Sequence, residues 1–111
     1  MIASFLHKGL REYWQTGRKS GITAAHTTRL AVLLQDLDAA SQPNHMGMPG
    51  YGLHPLSGKL AGHWAVKVTG NVRVTFRFDD KGNALDVNYL DYHQELRHGI
   101  KNNSRDRKSV V

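Results

Sequence analysis

The side chains able to do proton and anion chemistry fall in three short stretches of this 111-residue chain. His54 precedes Pro55. Arg73 and Arg77 alternate with apolar residues in GNVRVTFRF, Gly70 to Phe78. Asp91, Tyr92 and His93 follow the stretch ALDVNYL. Histidine serves as either acid or base near neutrality because its unperturbed pKa is about 6.5. Two guanidinium forks fixed on a rigid strand form an anion-binding surface, and phosphate is the commonest biological target. Each residue also has a plainer role open to it. A strand arginine pairs with a carboxylate on the next strand, a lone histidine before proline is usually a turn residue, and DYH suits an ordinary strand end.

The elements that must position these groups follow from periodicity. In 72–78 every second residue is apolar (Val72, Val74, Phe76, Phe78), the signature of a strand with one buried face. Trp64, Val66 and Val68 alternate in the same way over 62–69. Gly70-Asn71 suits a two-residue hairpin turn, with Gly at the first central position. That turn pairs Thr69 with Val72 and puts Trp64 on the arginine face, whereas a three-residue loop aligns the apolar faces; periodicity leaves the two registers open. A four-residue loop over Asp80–Asn83 pairs Arg77 with Asp86, Thr75 with Asn88 and Arg73 with Leu90. Arg77 thereby gains a carboxylate and Arg73 does not, making Arg73 the better phosphate ligand.

Upstream, 2–6 (IASFL) reads as a first strand. Leu6, Leu10, Tyr13 and Trp14 give helical spacing over Lys8–Thr16, with Gly17 as the stop. Thr23 is placed to cap a second helix ending near Ala40, whose apolar face carries Leu30, Leu33, Leu34 and Leu37. His26 and Arg29 are expected on its solvent side, and Tyr13 and Trp14 in the core. Ser41–Gly52, with two of the three prolines, is a loop that leaves His45 in solvent. A brief strand is expected over 51–54, and a last one over 84–90. The fold class is α+β, in the order β-α-α-β-β-β-β.

With 40% apolar residues the chain suits one domain and one modest core. The absence of cysteine rules out disulfides and thiolate metal sites. No two histidines have the i, i+4 spacing of a helical zinc site, so neither metal nor other cofactor is expected. The longest apolar run is Leu30–Leu34, and Ser4, His7 and Lys8 interrupt the N-terminus where a secretory signal needs apolar residues, so a cytoplasmic protein is expected. The net charge of +6 favours polyanionic partners, although residues 94–111, five Lys/Arg against two acids, supply half of it. This basic extension is expected to be partly disordered.

Together GYGLHPLSGKLAGHW, GNVRVTFRF and YLDYH resemble the RelE superfamily of bacterial toxins, and more narrowly its HigB branch, over residues 1–93. The resemblance implies two N-terminal helices on a mostly antiparallel twisted sheet. It also implies a ribosome-dependent mRNA endoribonuclease silenced by a HigA-like antitoxin, meeting DNA only through the toxin–antitoxin complex. The family's functional residues fall on His54, Arg73, Asp91, Tyr92 and His93, with Lys59, Asn71 and Arg77 as further RNA contacts. Ser57 stands where the branch usually has lysine, and Val72 where it tends to have an aromatic residue. In metal-free RNA cleavage the 2′-OH attacks the adjacent phosphate, while a base, an acid and a cation assist. His54 and His93 are the expected proton carriers, in either order. Arg73 is expected on the phosphate, Asp91 orienting a histidine, and Tyr92 positioning the nucleotide. The alternative is a non-catalytic RNA- or partner-binding module on the same fold. A DNA-reading regulator is disfavoured because the second helix is rich in Leu and Ala and poor in base-reading side chains.

Overall fold

The computed structural model describes residues 1–92. Helices α1 (Lys8–Thr16) and α2 (Thr27–Ala39) cover one face of a four-stranded antiparallel sheet. Its strands lie in chain order: β1 (His54–Pro55), β2 (Trp64–Thr69), β3 (Val72–Phe78) and β4 (Ala84–Asp91). The core joins Leu10 of α1 and Leu30, Leu33, Leu34 and Leu37 of α2 to Val66, Val68, Val74, Phe76 and Val87 of the sheet. Tyr13 and Trp14 pack against it as expected.

Both ends of α1 are locally encoded. His7 caps the start by accepting the Leu10 N–H on Nδ1 at 3.0 Å. Gly17, at φ +82°, ends the helix by donating to the Tyr13 carbonyl at 2.9 Å. The connection to α2 then crosses the first turn of α1 so closely that a Cβ on Gly9 would lie 2.4 Å from the Gly21 carbonyl oxygen. Thr23 precedes a 3-10 turn, Ala24–His26, which runs on into α2. Arg29 is half-buried and does not simply extend into solvent. It reaches the sheet, donating to the Gly50 and Lys67 carbonyls at 2.9 Å and lying over the Tyr51 ring.

Four strand expectations change in detail. Residues 2–6 make two isolated parallel bridges to β4, Ile2 with Ala84 and Phe5 with Val87, instead of a continuous strand. Between them Asp86 adopts φ +55° and its N–H turns to Ser4 Oγ at 2.8 Å, which interrupts the ladder. The strand expected over 51–54 shrinks to His54–Pro55. The Tyr51 carbonyl still accepts the Lys67 N–H at 2.7 Å, but Gly52 at φ +59° turns the chain out of register.

The third change resolves the hairpin. Thr69 does pair with Val72 across a Gly70-Asn71 turn, yet Trp64 pairs with Phe76, because a one-residue bulge at Val68 shifts the ladder. The chain combines a two-residue turn with an extra strand residue, and the apolar faces align. A second bulge lies in β4. Arg73, Val74 and Thr75 meet Leu90, Tyr89 and Asn88 as expected, while Arg77 and Phe78 meet Leu85 and Ala84, one residue off the expected register.

Candidate active site

The sheet face away from the helices carries the chemistry. His54, Ala65, Thr75 and Asn88 form one cross-strand row, and Lys67, Arg73 and Leu90 form the next. Tyr92, the residue after β4, lies against His54 and Arg73 on this face. Ala65 and Thr75, at 0% and 3% exposure, form a floor of small buried residues between larger neighbours.

His54 is half-buried and its Nδ1 lies 3.0 Å from the Gly52 carbonyl. A carbonyl only accepts, so Nδ1 carries the proton, and in the neutral ring Nε2 holds the free lone pair. The His54 ring meets Tyr92 edge-on at 6.3 Å between centroids. The Arg73 guanidinium lies over the Tyr92 ring, 5.4 Å from its centre. Arg73 Nη1 donates to the carbonyls of Gly70 at 2.5 Å and Val72 at 3.1 Å, which leaves the Nε and Nη2 edge for an anion. Tyr92 is tethered through its backbone, with its N–H on the Asn71 carbonyl at 2.8 Å. The hairpin tip thus sets both Arg73 and Tyr92. Burial pushes the Tyr92 phenol above its ordinary pKa, with Arg73 opposing, so it stays protonated. Its Oη is buried and has no hydrogen-bond partner among the described residues.

The other expected residues separate. Arg77 forms an ion pair with Asp86, Nε to Oδ2 at 2.7 Å, the local partner the sequence suggested. Lys59 is exposed in a 3-10 turn, Gly58–Leu60, and Ser57 is exposed just before it without capping that turn. The Asn71 side chain is exposed at the hairpin tip. Asp91 pairs with Val72 and lines a cleft of about 300 Å³ on the helix side of the sheet, with His7, Thr23, His26 and Tyr89. There His26 Nδ1 lies 2.5 Å from Tyr89 Oη, so His26 is engaged and not on a solvent face. His93 and the basic extension lie outside the described residues.

Lys67 escaped the sequence reading. It is exposed directly across from Arg73, a pairing visible only once the Val68 bulge is known. Among the described residues no three potential ligands gather to hold a metal ion, and no helix is long and apolar enough to cross a membrane.

The profile of a family described as the RelE-like toxin of the type II toxin–antitoxin system HigB matches residues 3–93. The chain is also 41% identical over 93 residues to "Endoribonuclease HigB" of Proteus vulgaris. That alignment covers 84% of this chain and all of the relative. With the helix-backed antiparallel sheet and its His54–Tyr92–Arg73 face, these matches identify the chain as a member of the HigB-like family of RelE-like toxins from type II toxin–antitoxin systems.

Proposed function

We propose that this toxin is an endoribonuclease that cuts mRNA in the ribosomal decoding site, without a metal, and is silenced by a HigA-like antitoxin. The observation that carries the reading is the convergence of His54, Tyr92 and Arg73 on the sheet face opposite α1 and α2. The Proteus vulgaris relative bears the name of an endoribonuclease, which supports the reaction class.

In the proposed reaction the 2′-oxygen attacks the neighbouring phosphorus and the 5′-oxygen leaves, giving a 2′,3′-cyclic phosphate and a 5′-OH. His54 Nε2 is the proton carrier on this face, and His93 is the partner of opposite role. The open edge of Arg73 meets the phosphoryl oxygens and stabilises their growing charge. Tyr92, kept as a phenol, shares its ring face with Arg73, and its buried hydroxyl would meet the RNA only by turning outward. Asp91 acts on a histidine or on the cleft behind the strand. Lys59 and the Asn71 side chain lie at the rim as backbone contacts. The ion-paired Arg77 contributes mainly to the field of the sheet.

The test is to add purified protein to ribosomes programmed with a defined mRNA and to map new 5′ ends, beside a ribosome-free control. Cuts are expected with ribosomes alone. Arg73→Ala and His54→Ala are each expected to lose at least about 10²-fold in cleavage rate, the typical contribution of one acid–base group or charge-stabilising donor. Both should stay folded by circular dichroism, since neither side chain belongs to the core. Full cleavage by both variants would refute the site. A wild-type protein that sediments with ribosomes and cuts nothing would be a binding module.

A further inference from the structure

Lys67 stands between Val66 and Val68, which are 0% and 7% exposed on the core face, so its side chain projects from the face that bears His54 and Arg73. It pairs directly with Arg73 across the antiparallel ladder. Residues so paired have Cβ atoms about 4.5–5.5 Å apart, and like charges there repel. Neither cation forms an ion pair among the described residues, where the recorded bridge is Arg77 with Asp86.

The backbone at Lys67 is nevertheless held firmly. Its N–H donates to the Tyr51 carbonyl at 2.7 Å, and its carbonyl accepts from Arg29 Nε and Nη2 at 3.1 and 2.9 Å. A Cβ on Gly52 would lie 3.9 Å from the Lys67 Cβ, and the carbonyl of that same glycine accepts from His54. One short segment therefore sets both the proton carrier and the second cation. Two like charges fixed side by side, with no carboxylate paired to either among the described residues, are relieved by an anion that touches both.

We propose that Lys67 is a phosphate ligand of this site. It and Arg73 would together clamp the RNA backbone, with Arg73 on the scissile phosphate and Lys67 on the one beside it. That the phosphates belong to mRNA rests on the nuclease reading above; that Lys67 binds a single-stranded phosphate backbone does not.

The experiment measures equilibrium binding of an uncleavable 2′-O-methyl RNA oligonucleotide against salt for wild type, Lys67→Gln and Lys67→Arg. In parallel it records the half-saturating toxin concentration and the maximal rate in the ribosome cleavage assay. Each phosphate contact on a single strand contributes about −0.7 to the slope of log affinity on log salt. Lys67→Gln is expected to lose about that much slope and on the order of five- to tenfold in affinity. Its half-saturation should rise in proportion while the maximal rate holds, and Lys67→Arg should restore both. The unfolding midpoint of Lys67→Gln should be no lower than wild type, since a repulsion has been removed. Unchanged slope and affinity, no RNA binding at all, or a lowered midpoint would each overturn the proposal. Cleavage decides the nuclease reading separately. A wild type with Lys67-dependent binding and no cuts would refute the nuclease and keep the ligand.

Discussion

Replacing Tyr92 with Phe separates folding from chemistry in one residue. The hydroxyl is buried with no partner among the described residues, while the ring touches His54 and lies under Arg73. A buried unpaired polar group costs about 1–3 kcal/mol. Phe keeps the ring contacts and removes that cost, so Tyr92→Phe should be more stable by about 1 kcal/mol. For a domain of this size that raises the thermal midpoint by about 4–8 °C. Cleavage should move the other way. Where the RNA draws the buried hydroxyl outward to a charged group, that hydrogen bond contributes about 1.5–3 kcal/mol, and its loss lowers the rate by about 10- to 150-fold. Tyr92→Leu also removes the cation–π contact with Arg73, which contributes about 0.5–1 kcal/mol at an exposed site. It should fall below Phe in both measurements. Calorimetry and mapped cleavage on the same preparations give both numbers. If Tyr92→Phe is less stable than wild type, the hydroxyl has a partner and the reasoning fails. If it is more stable but cuts at the wild-type rate, the hydroxyl has no part in the reaction.

Two further outcomes test the frame that holds the site. Gly9→Ala would put a methyl group 2.4 Å from the Gly21 carbonyl oxygen, with backbone on both sides to resist it. A loss of at least about 1–3 kcal/mol is expected in urea unfolding, and an unchanged midpoint would deny the close crossing. His7 has its pKa lowered by burial, and protonation removes the lone pair that caps α1. A depressed folded pKa means the unfolded chain binds more protons, so stability is present above pH about 6.5 and is lost as pH falls through the lower folded value. His7→Asn, a good cap that does not titrate, should flatten the midpoint between pH 7.5 and 5, a cap contributing about 1 kcal/mol. Equal pH dependence in both proteins would refute this.

Alternation in 72–78 was enough to recognise β3 and its two faces, because one residue pattern there meets one buried surface. The pairing of Arg73 with Leu90 was equally legible, being fixed by a short loop and a count, whereas the Gly70-Asn71 hairpin left two registers open. The Arg77–Asp86 pair survives even though the near end of that ladder is one residue off: long side chains reach across a bulge that the backbone count misses. What the sequence hid are the single-residue insertions at Val68 and Asp86, since a bulge leaves the alternation on either side intact and moves only the partners. Lys67 was hidden for that reason. The Ile2–Leu6 segment looked like a strand because its composition is one, and it fails to pair continuously because its partner is bulged. The cluster at 91–93 read as one unit, yet β4 ends at Asp91, and Asp91 lines the cleft behind the strand while Tyr92 lies against His54.

Because α1 and α2 pack on one face, β3 is a ledger with two columns. Substitutions at Val72, Val74, Phe76 and Phe78 should appear in a mutational scan as lost abundance, with whatever protein remains keeping its specific activity. Thr75, buried on the open side, belongs with them. Substitutions at Arg73 should leave abundance intact and remove toxicity. A cell escaping the toxin therefore has two distinguishable routes along seven residues, and only the second leaves a folded, harmless protein.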